Sequence, residues 1–236
     1  MDLRSLLAGV PIERGSIDLG REISTVTCDS RAVIPGALFV AIPGERENGQ
    51  TYIEEALEKG ALAVLCRDMP AEKGPYLATP DPRLALALVS ANWFGHPGKE
   101  MKLIGVTGTN GKTTTTYLLK AMLEGVLHTR VGLIGTNRNL IGDREIPAQR
   151  TTPDAFHLQS LLRQMADEGC THVAMEVSSH ALMQHRTAGL RFAVGLFTNL
   201  SRDHLDYHRT MEEYRAAKGR LFTQSERAVI NLDDEL

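Results

Sequence analysis

The stretch Lys102-Leu103-Ile104-Gly105-Val106-Thr107-Gly108-Thr109-Asn110-Gly111-Lys112-Thr113-Thr114 decides how the chain is read. Lys102 to Val106 is a short apolar run of strand type, the glycines that follow punctuate a loop, and Lys112 opens a segment with helical spacing. A strand that passes through a glycine-bearing loop into a helix gathers backbone N–H groups at the helix N-terminus, where aligned peptide dipoles add partial positive charge. Such a loop cradles phosphate: Lys112 neutralises it, and the Thr113 hydroxyl can ligate Mg²⁺. The usual phosphate loop would carry glycine at Val106, five residues before Gly111; this one has the shorter Gly108-Thr109-Asn110-Gly111-Lys112-Thr113. A plain strand turn with a surface lysine, or a dinucleotide-binding loop, is the alternative.

Downstream of this loop, strand and helix patterns alternate. Strands are predicted at 130–134, 172–177, 193–197 and 228–231, and helices from Lys112, over 154–167 and over 211–222. That alternation implies an α/β fold with a doubly wound, mainly parallel sheet. Upstream, strands are predicted at 23–29, 37–42 and 61–66, with helices at 52–57 and 82–94, the second stopped by Gly95-His96-Pro97-Gly98. The boundary falls there, giving a small α/β N-terminal domain at 1–97 and a central P-loop-type domain at 98–236. A chain of 236 residues agrees with two domains, at roughly 100–200 residues each.

Ligands of open α/β sheets sit beyond the carboxyl ends of the strands. Glu176 closes the apolar strand before Val177-Ser178-Ser179-His180 and is placed to meet the Mg²⁺ of a nucleotide, or else to cap the helix that follows. Asn199 to His208 follows the next strand; His204 and His208 have the spacing of a metal pair without a third partner, and the bland reading is a solvated helix start. Thr151-Thr152-Pro153-Asp154 reads as a helix cap with proline at the first helical position, or as a substrate loop. Lys218 is, from pattern alone, a lysine on an amphipathic helix.

Composition narrows the function. Hydrophobic residues are 42% and charged residues 23% of the chain, ordinary globular usage. The net charge of −3 supplies no basic field for nucleic acid or anionic lipid, so phosphate binding must be local. Cys28, Cys66 and Cys170 form no CxxC pair, which fits a reducing cytoplasm; no leader-type run or stretch of ~18 apolar residues occurs, so neither export nor membrane insertion is expected.

Several segments together resemble the Mur ligases of peptidoglycan synthesis: Asp29-Ser30-Arg31, Pro35 to Ala41, Gly108 to Thr114, Thr151 to Asp154, Glu176 to His180, Gln184-His185-Arg186, Asn199 to His204 and Tyr214 to Lys218. The run from Glu176 to His180 followed by Gln184 to Arg186 is similar to the members that add the third peptide residue, a diamino acid, to UDP-MurNAc-L-Ala-D-Glu. The resemblance implies an ATP-dependent, C–N bond-forming ligase of cell-wall biogenesis, tied to cell shape and division, acting through an acyl phosphate. It implies that Ser30 contacts the uridine end of the substrate, and that Thr151, Thr152, Ser178, Gln184 and Arg186 contact its sugar and peptide. ATP would lie on Thr109, Asn110, Gly111, Lys112, Thr113 and Thr114. Mg²⁺ would be held by Thr113 and Glu176, with a second ion near His204 and Lys218, the lysine that the family carbamylates; Lys112, Glu176, His204 and Lys218 are the implied catalytic set.

The resemblance also implies that more of the central domain, and a C-terminal domain holding the incoming meso-diaminopimelate or L-lysine, are missing after Leu236. Residues 1–236 alone are then expected not to ligate, and the full-length protein to be a monomer. A folylpolyglutamate synthetase-like ligase, or a nucleotide-binding regulatory module without ligase chemistry, is the alternative.

Overall fold

Each predicted sheet forms, and each gains an antiparallel margin that the pattern did not announce. The structure is a computed structural model that describes residues 1–15, 17–44 and 48–234, the side chain of Leu205 excepted. It divides into two compact units, Met1–Gly95 and His96–Leu236.

In the first unit, helix α1 (Leu3–Leu6) precedes strands β1 (Arg14–Gly15), β2 (Val26–Thr27) and β3 (Leu38–Val40). Helix α2 (Ile53–Glu58), strands β4 (Ala63–Cys66) and β5 (Tyr76–Ala78) and helix α3 (Pro82–Trp93) follow. The sheet order is β1-β5-β4-β3-β2, parallel except for β1. Phe39, Val64, Cys66 and Tyr76 alternate onto one face, where Ile53 and Ala56 of α2 complete a core. Helix α3 starts where expected because Asp81 caps Arg83 and Leu84 and proline occupies the first turn. β2 is only two residues long, shorter than the predicted 23–29, and β5 was missed: Gly74 and Pro75 precede it, and three residues are too few to register a period.

The second unit contains β6 (Lys102–Thr107), α4 (Lys112–Leu127), β7 (Val131–Ile134), β8 (Arg138–Ile141), β9 (Arg144–Pro147) and α5 (Ala155–Asp167). It continues with β10 (His172–Glu176), α6 (Ser179–Met183), β11 (Val194–Phe197), α7 (Leu205–His208), α8 (Met211–Thr223) and β12 (Ala228–Ile230). The order β12-β11-β6-β10-β7 is parallel, and the hairpin β8-β9 adds antiparallel to β7. That hairpin turns on Gly142-Asp143, a pair that favours two-residue turns, but its strands are half exposed and polar. Leu103, Val173, Met175 and Val177 face Leu158, Leu162, Met165, Leu182 and Leu221 of α5, α6 and α8. Each such leucine removed from water contributes about 1.5–3 kcal/mol. The alternate face carries Glu176, which Thr113 of α4 reaches, so α4 lies on the other side of the sheet and the unit is doubly wound.

Among the described residues no helix is long and apolar enough to cross a membrane. β12 forms the edge of its sheet, with Val229 and Ile230 about half exposed.

Candidate nucleotide and metal site

The phosphate-loop residues converge at the carboxyl ends of β6, β10, β7 and β11. Gly108 has φ +144°, and a Cβ there would collide with the Thr198 hydroxyl; Gly111 has φ +83° and precedes the first turn of α4. Both positions therefore exclude ordinary side chains. The loop is stitched to the segment after β11: Asn110 N donates to Asn199 Oδ1 (3.0 Å), Thr109 N to the Asn199 carbonyl (2.9 Å), and Ser201 N to Thr109 Oγ1 (3.0 Å). These bonds fix the cradle without a ligand.

Two lysines point into it. Lys112 Nζ donates to the carbonyls of Gly108 (2.9 Å) and Thr109 (2.7 Å), and Lys218 Nζ donates to the same Gly108 carbonyl at 2.7 Å. Burial lowers the pKa of Lys112. Lys218 is 2% exposed and lies 4.3 Å from the centre of the Tyr214 ring; burial, then the neighbouring Lys112 charge, pulls its pKa down to about 7. Two lysines sharing one carbonyl, Lys218 buried and Lys112 half-buried, form an anion-seeking arrangement.

Glu176 is 1% exposed and does not cap the next helix; Ser178 does, accepting from Ala181 N. The Glu176 carboxylate instead accepts from Thr113 Oγ1 (2.9 Å), Thr136 N (2.9 Å) and Thr136 Oγ1 (3.1 Å). A carboxylate and a hydroxyl side by side next to a phosphate cradle suit Mg²⁺, which takes one or two protein oxygens and fills its octahedron with water and phosphate. The Thr113–Glu176 pair thus fits a first ion.

The second set is less complete. His204 lies with Nε2 3.5 Å from Asp203 and its ring 4.9 Å from that of His180, while Lys218 is an ammonium bound to Gly108. Among the described residues, no three His, Cys, Asp or Glu side chains are arranged to enclose a metal. A carbamate on Lys218 would supply the oxygens that an ammonium lacks.

Thr152 Oγ1 donates to the Glu176 carbonyl (2.9 Å) and accepts from Ser178 N (3.1 Å), while Arg186 Nη1 donates to the Thr152 carbonyl (2.7 Å) and Arg186 Nη2 to Gln184 Oε1 (2.7 Å). Thr151 Oγ1 stands 3.0 Å from Thr136 Oγ1, whose single proton it shares with Glu176 Oε2. The expected residues therefore form two branches that meet on Glu176: Thr151 through Thr136 at its carboxylate, and Thr152, with Ser178, Arg186 and Gln184, at its carbonyl. Asp154, not Thr151 or Thr152, caps α5, and Pro153 precedes the cap instead of opening the helix. Ser30 belongs to the first unit, where it donates to Glu55 Oε2 (3.1 Å) and accepts at its carbonyl from Lys59 (3.0 Å).

Thr136, Asn199 and Tyr214 are functional candidates to which the sequence assigned no role. Thr136 lies two residues beyond β7, at the carboxyl edge of the sheet where ligands of open α/β sheets sit. His208, half of the supposed metal pair, is 2% exposed and shares a 2.8 Å hydrogen bond with Ser179 Oγ; burial holds its pKa down at about 4.

Residues 106–236 match the family model described as Mur ligase middle domain, and residues 22–92 match the model described as Mur ligase family, catalytic domain. The chain belongs to the Mur ligase family. Curated relatives of this Mur ligase chain include the UDP-N-acetylmuramoyl-L-alanyl-D-glutamate--2,6-diaminopimelate ligases of Chlorobium phaeobacteroides, 45% identical over 99% of this chain and 47% of the relative, and of Caldanaerobacter subterraneus, 46% identical over 100% and 49%. A solved structure of a ligase with the same designation superposes with a TM-score of 0.82 at 32% identity, covering 100% of this chain and 48% of the other. The chain spans about half the length of the relatives it matches. With residues 22–92 also matched to the Mur ligase family, the folylpolyglutamate synthetase-like alternative is not favoured.

Proposed function

We propose that this Mur ligase chain carries the nucleotide and UDP-substrate portions of an ATP-dependent ligase that joins a diamino acid to UDP-MurNAc-L-Ala-D-Glu. In this reading, residues 1–95 hold the uridine end through Ser30, and residues 96–236 hold ATP. The relatives' designation favours 2,6-diaminopimelate as the added residue. Cytoplasmic synthesis of a cell-wall precursor, with consequences for cell shape and division, follows from the same reading.

The observation that carries it is the 2.9 Å contact between Thr113 of the phosphate loop and the buried Glu176, whose own carbonyl begins the Thr152–Ser178–Arg186 chain. One residue thereby touches the nucleotide side with its carboxylate and the acceptor side with its carbonyl. A D-glutamyl carboxylate is a poor electrophile, so ATP converts it to an acyl phosphate, with ADP as leaving group, before an amine attacks and phosphate departs. Lys112 offsets the repulsion between two anionic reactants, and the loop's N–H groups orient the phosphates. Mg²⁺, when bound at Thr113 and Glu176, supplies further neutralisation of the phosphate charge. Arg186 is suited to pair bidentately with a peptide carboxylate once released from Gln184.

Lys218 has the depressed pKa that carbamylation needs, because only the neutral amine adds CO₂, releasing one proton as the N–C bond forms. Its carbamate would then stand with His204 toward a second ion.

Binding of UDP-MurNAc-L-Ala-D-Glu, measured calorimetrically against free UDP, tests the reading. The dipeptide nucleotide is expected to bind more tightly than UDP, with Arg186→Lys removing about tenfold. A chain that binds ADP yet ignores the dipeptide nucleotide belongs to the regulatory-module alternative.

A further inference from the structure

Helix α7 is a single turn, Leu205–His208, too short to hold itself together, and it lies between two non-glycine residues in the left-handed region, His204 (φ +52°) and Arg209 (φ +60°). Something outside the turn must determine its conformation. Its C-terminal end supplies the means. The His208 ring, 2% exposed, meets Ser179 Oγ at 2.8 Å and packs 5.1 Å from the Tyr214 ring and 5.5 Å from the His180 ring. Tyr207 lies over His180 at 4.3 Å, and its hydroxyl accepts from Gln184 Nε2 at 3.5 Å.

The partners divide by element. Ser179, His180 and Gln184 belong to α6 and its C-cap, beside Ser178 and Arg186; Tyr214 and Lys218 belong to α8; His204 is the residue that enters α7. The turn thus joins a hydrogen-bonded imidazole at one end to His204 at the other, whose own ring meets those of His180 (4.9 Å) and Tyr214 (6.1 Å).

We propose that His208 is a positioning residue: its bond to Ser179 latches α7 onto α6 and so sets His204 relative to Ser178 on one side and Lys218 on the other. The latch itself stands on the geometry alone; that it couples the peptide side to the phosphate side rests on the function proposed above. A phenylalanine at 208 keeps the ring volume and loses the nitrogen, whereas glutamine places an amide nitrogen near Nε2.

The test compares His208→Phe, Ser179→Ala and His208→Gln in the whole chain by amide hydrogen exchange and by ADP titration at varied Mg²⁺. Exchange over 202–210 should quicken by about tenfold in His208→Phe and in Ser179→Ala, with β6 and α4 unchanged, and remain within about threefold of native in His208→Gln. The double variant should be no worse than either single one. The Mg²⁺ needed for half-maximal tightening of ADP should rise about fivefold or more in His208→Phe, with metal-free ADP affinity unaltered. Native exchange rates in both disruptive variants overturn the latch. Quickened exchange with an unshifted Mg²⁺ requirement, or with His208→Gln as defective as His208→Phe, overturns the positioning role and leaves packing. A native chain that binds no ADP overturns the nucleotide reading and not the latch, which the exchange comparison decides by itself.

Discussion

The candidate contact residues of the two units stand in opposite electrostatic settings. In the first, the Ser30 neighbourhood is built from Glu55 and Lys59, an i,i+4 pair 2.6 Å apart with each side chain about 40% exposed, on the surface of an ordinary helix. In the second, Glu176 and Lys218 are 1% and 2% exposed, and Lys218 has no carboxylate within its hydrogen bonds, only a carbonyl already used by Lys112. Surface pairs are worth little and are easily replaced, whereas buried charges destabilise unless matched. A chain that keeps such charges at one sheet edge gives up stability at that place, the pattern expected of a site shaped for a ligand that is itself charged.

The contrast breaks first at Lys112. Lys112→Ala should weaken ADP binding by about 100-fold, since a half-buried ammonium facing phosphate makes charge-assisted bonds that water cannot replace. Secondary structure by circular dichroism should be unchanged. Native affinity in a folded variant would remove the phosphate cradle from the second unit.

Next comes Lys218→Met. A lysine whose folded pKa is about 7, against an ordinary value of 10.5, binds fewer protons in the native chain than in the unfolded one between those two values. Native stability therefore rises with pH over that window, and the cost of the buried ammonium is fully present below it. Methionine removes the cost, so the variant should gain most in Tm near pH 6 and progressively less toward pH 10. A gain independent of pH would mean that packing, and not charge, sets the difference.

The smallest effect belongs to the first unit. Glu55→Gln should shift Tm by no more than about 2 °C at neutral pH, as exposed pairs do. The Glu55 pKa is lowered chiefly by its bond to Lys59, so that contribution is present above the carboxylate range and fades as the pH falls through it. An effect rivaling that of Lys218→Met would erase the distinction between the units.

Legibility in the sequence followed burial and strand length, not the boundary between the units. Strands buried on both faces, such as β6 and β10, are continuous apolar runs and were placed within a residue or two. The hairpin β8-β9 and the two-residue β1 escaped because half-exposed or very short strands carry too little pattern. Glu176 was legible because a carboxylate closing an apolar strand is out of place unless it has a task. Thr136 was not, since a threonine after a strand is unremarkable until the fold carries it 2.9 Å from Glu176. His208 was not legible either: its stretch reads as a solvated helix start, whereas tertiary packing buries its ring against Ser179.

The claim on which the account rests is that Thr113 and Glu176 stand together to receive a metal-bound nucleotide. Calorimetric titration of ADP into native chain and Glu176→Gln, each with and without Mg²⁺, addresses it directly. Mg²⁺ should tighten ADP binding to the native chain by about tenfold or more, and the glutamine variant should keep the metal-free affinity while losing that gain. An equal Mg²⁺ effect in both proteins would contradict the assignment of Glu176.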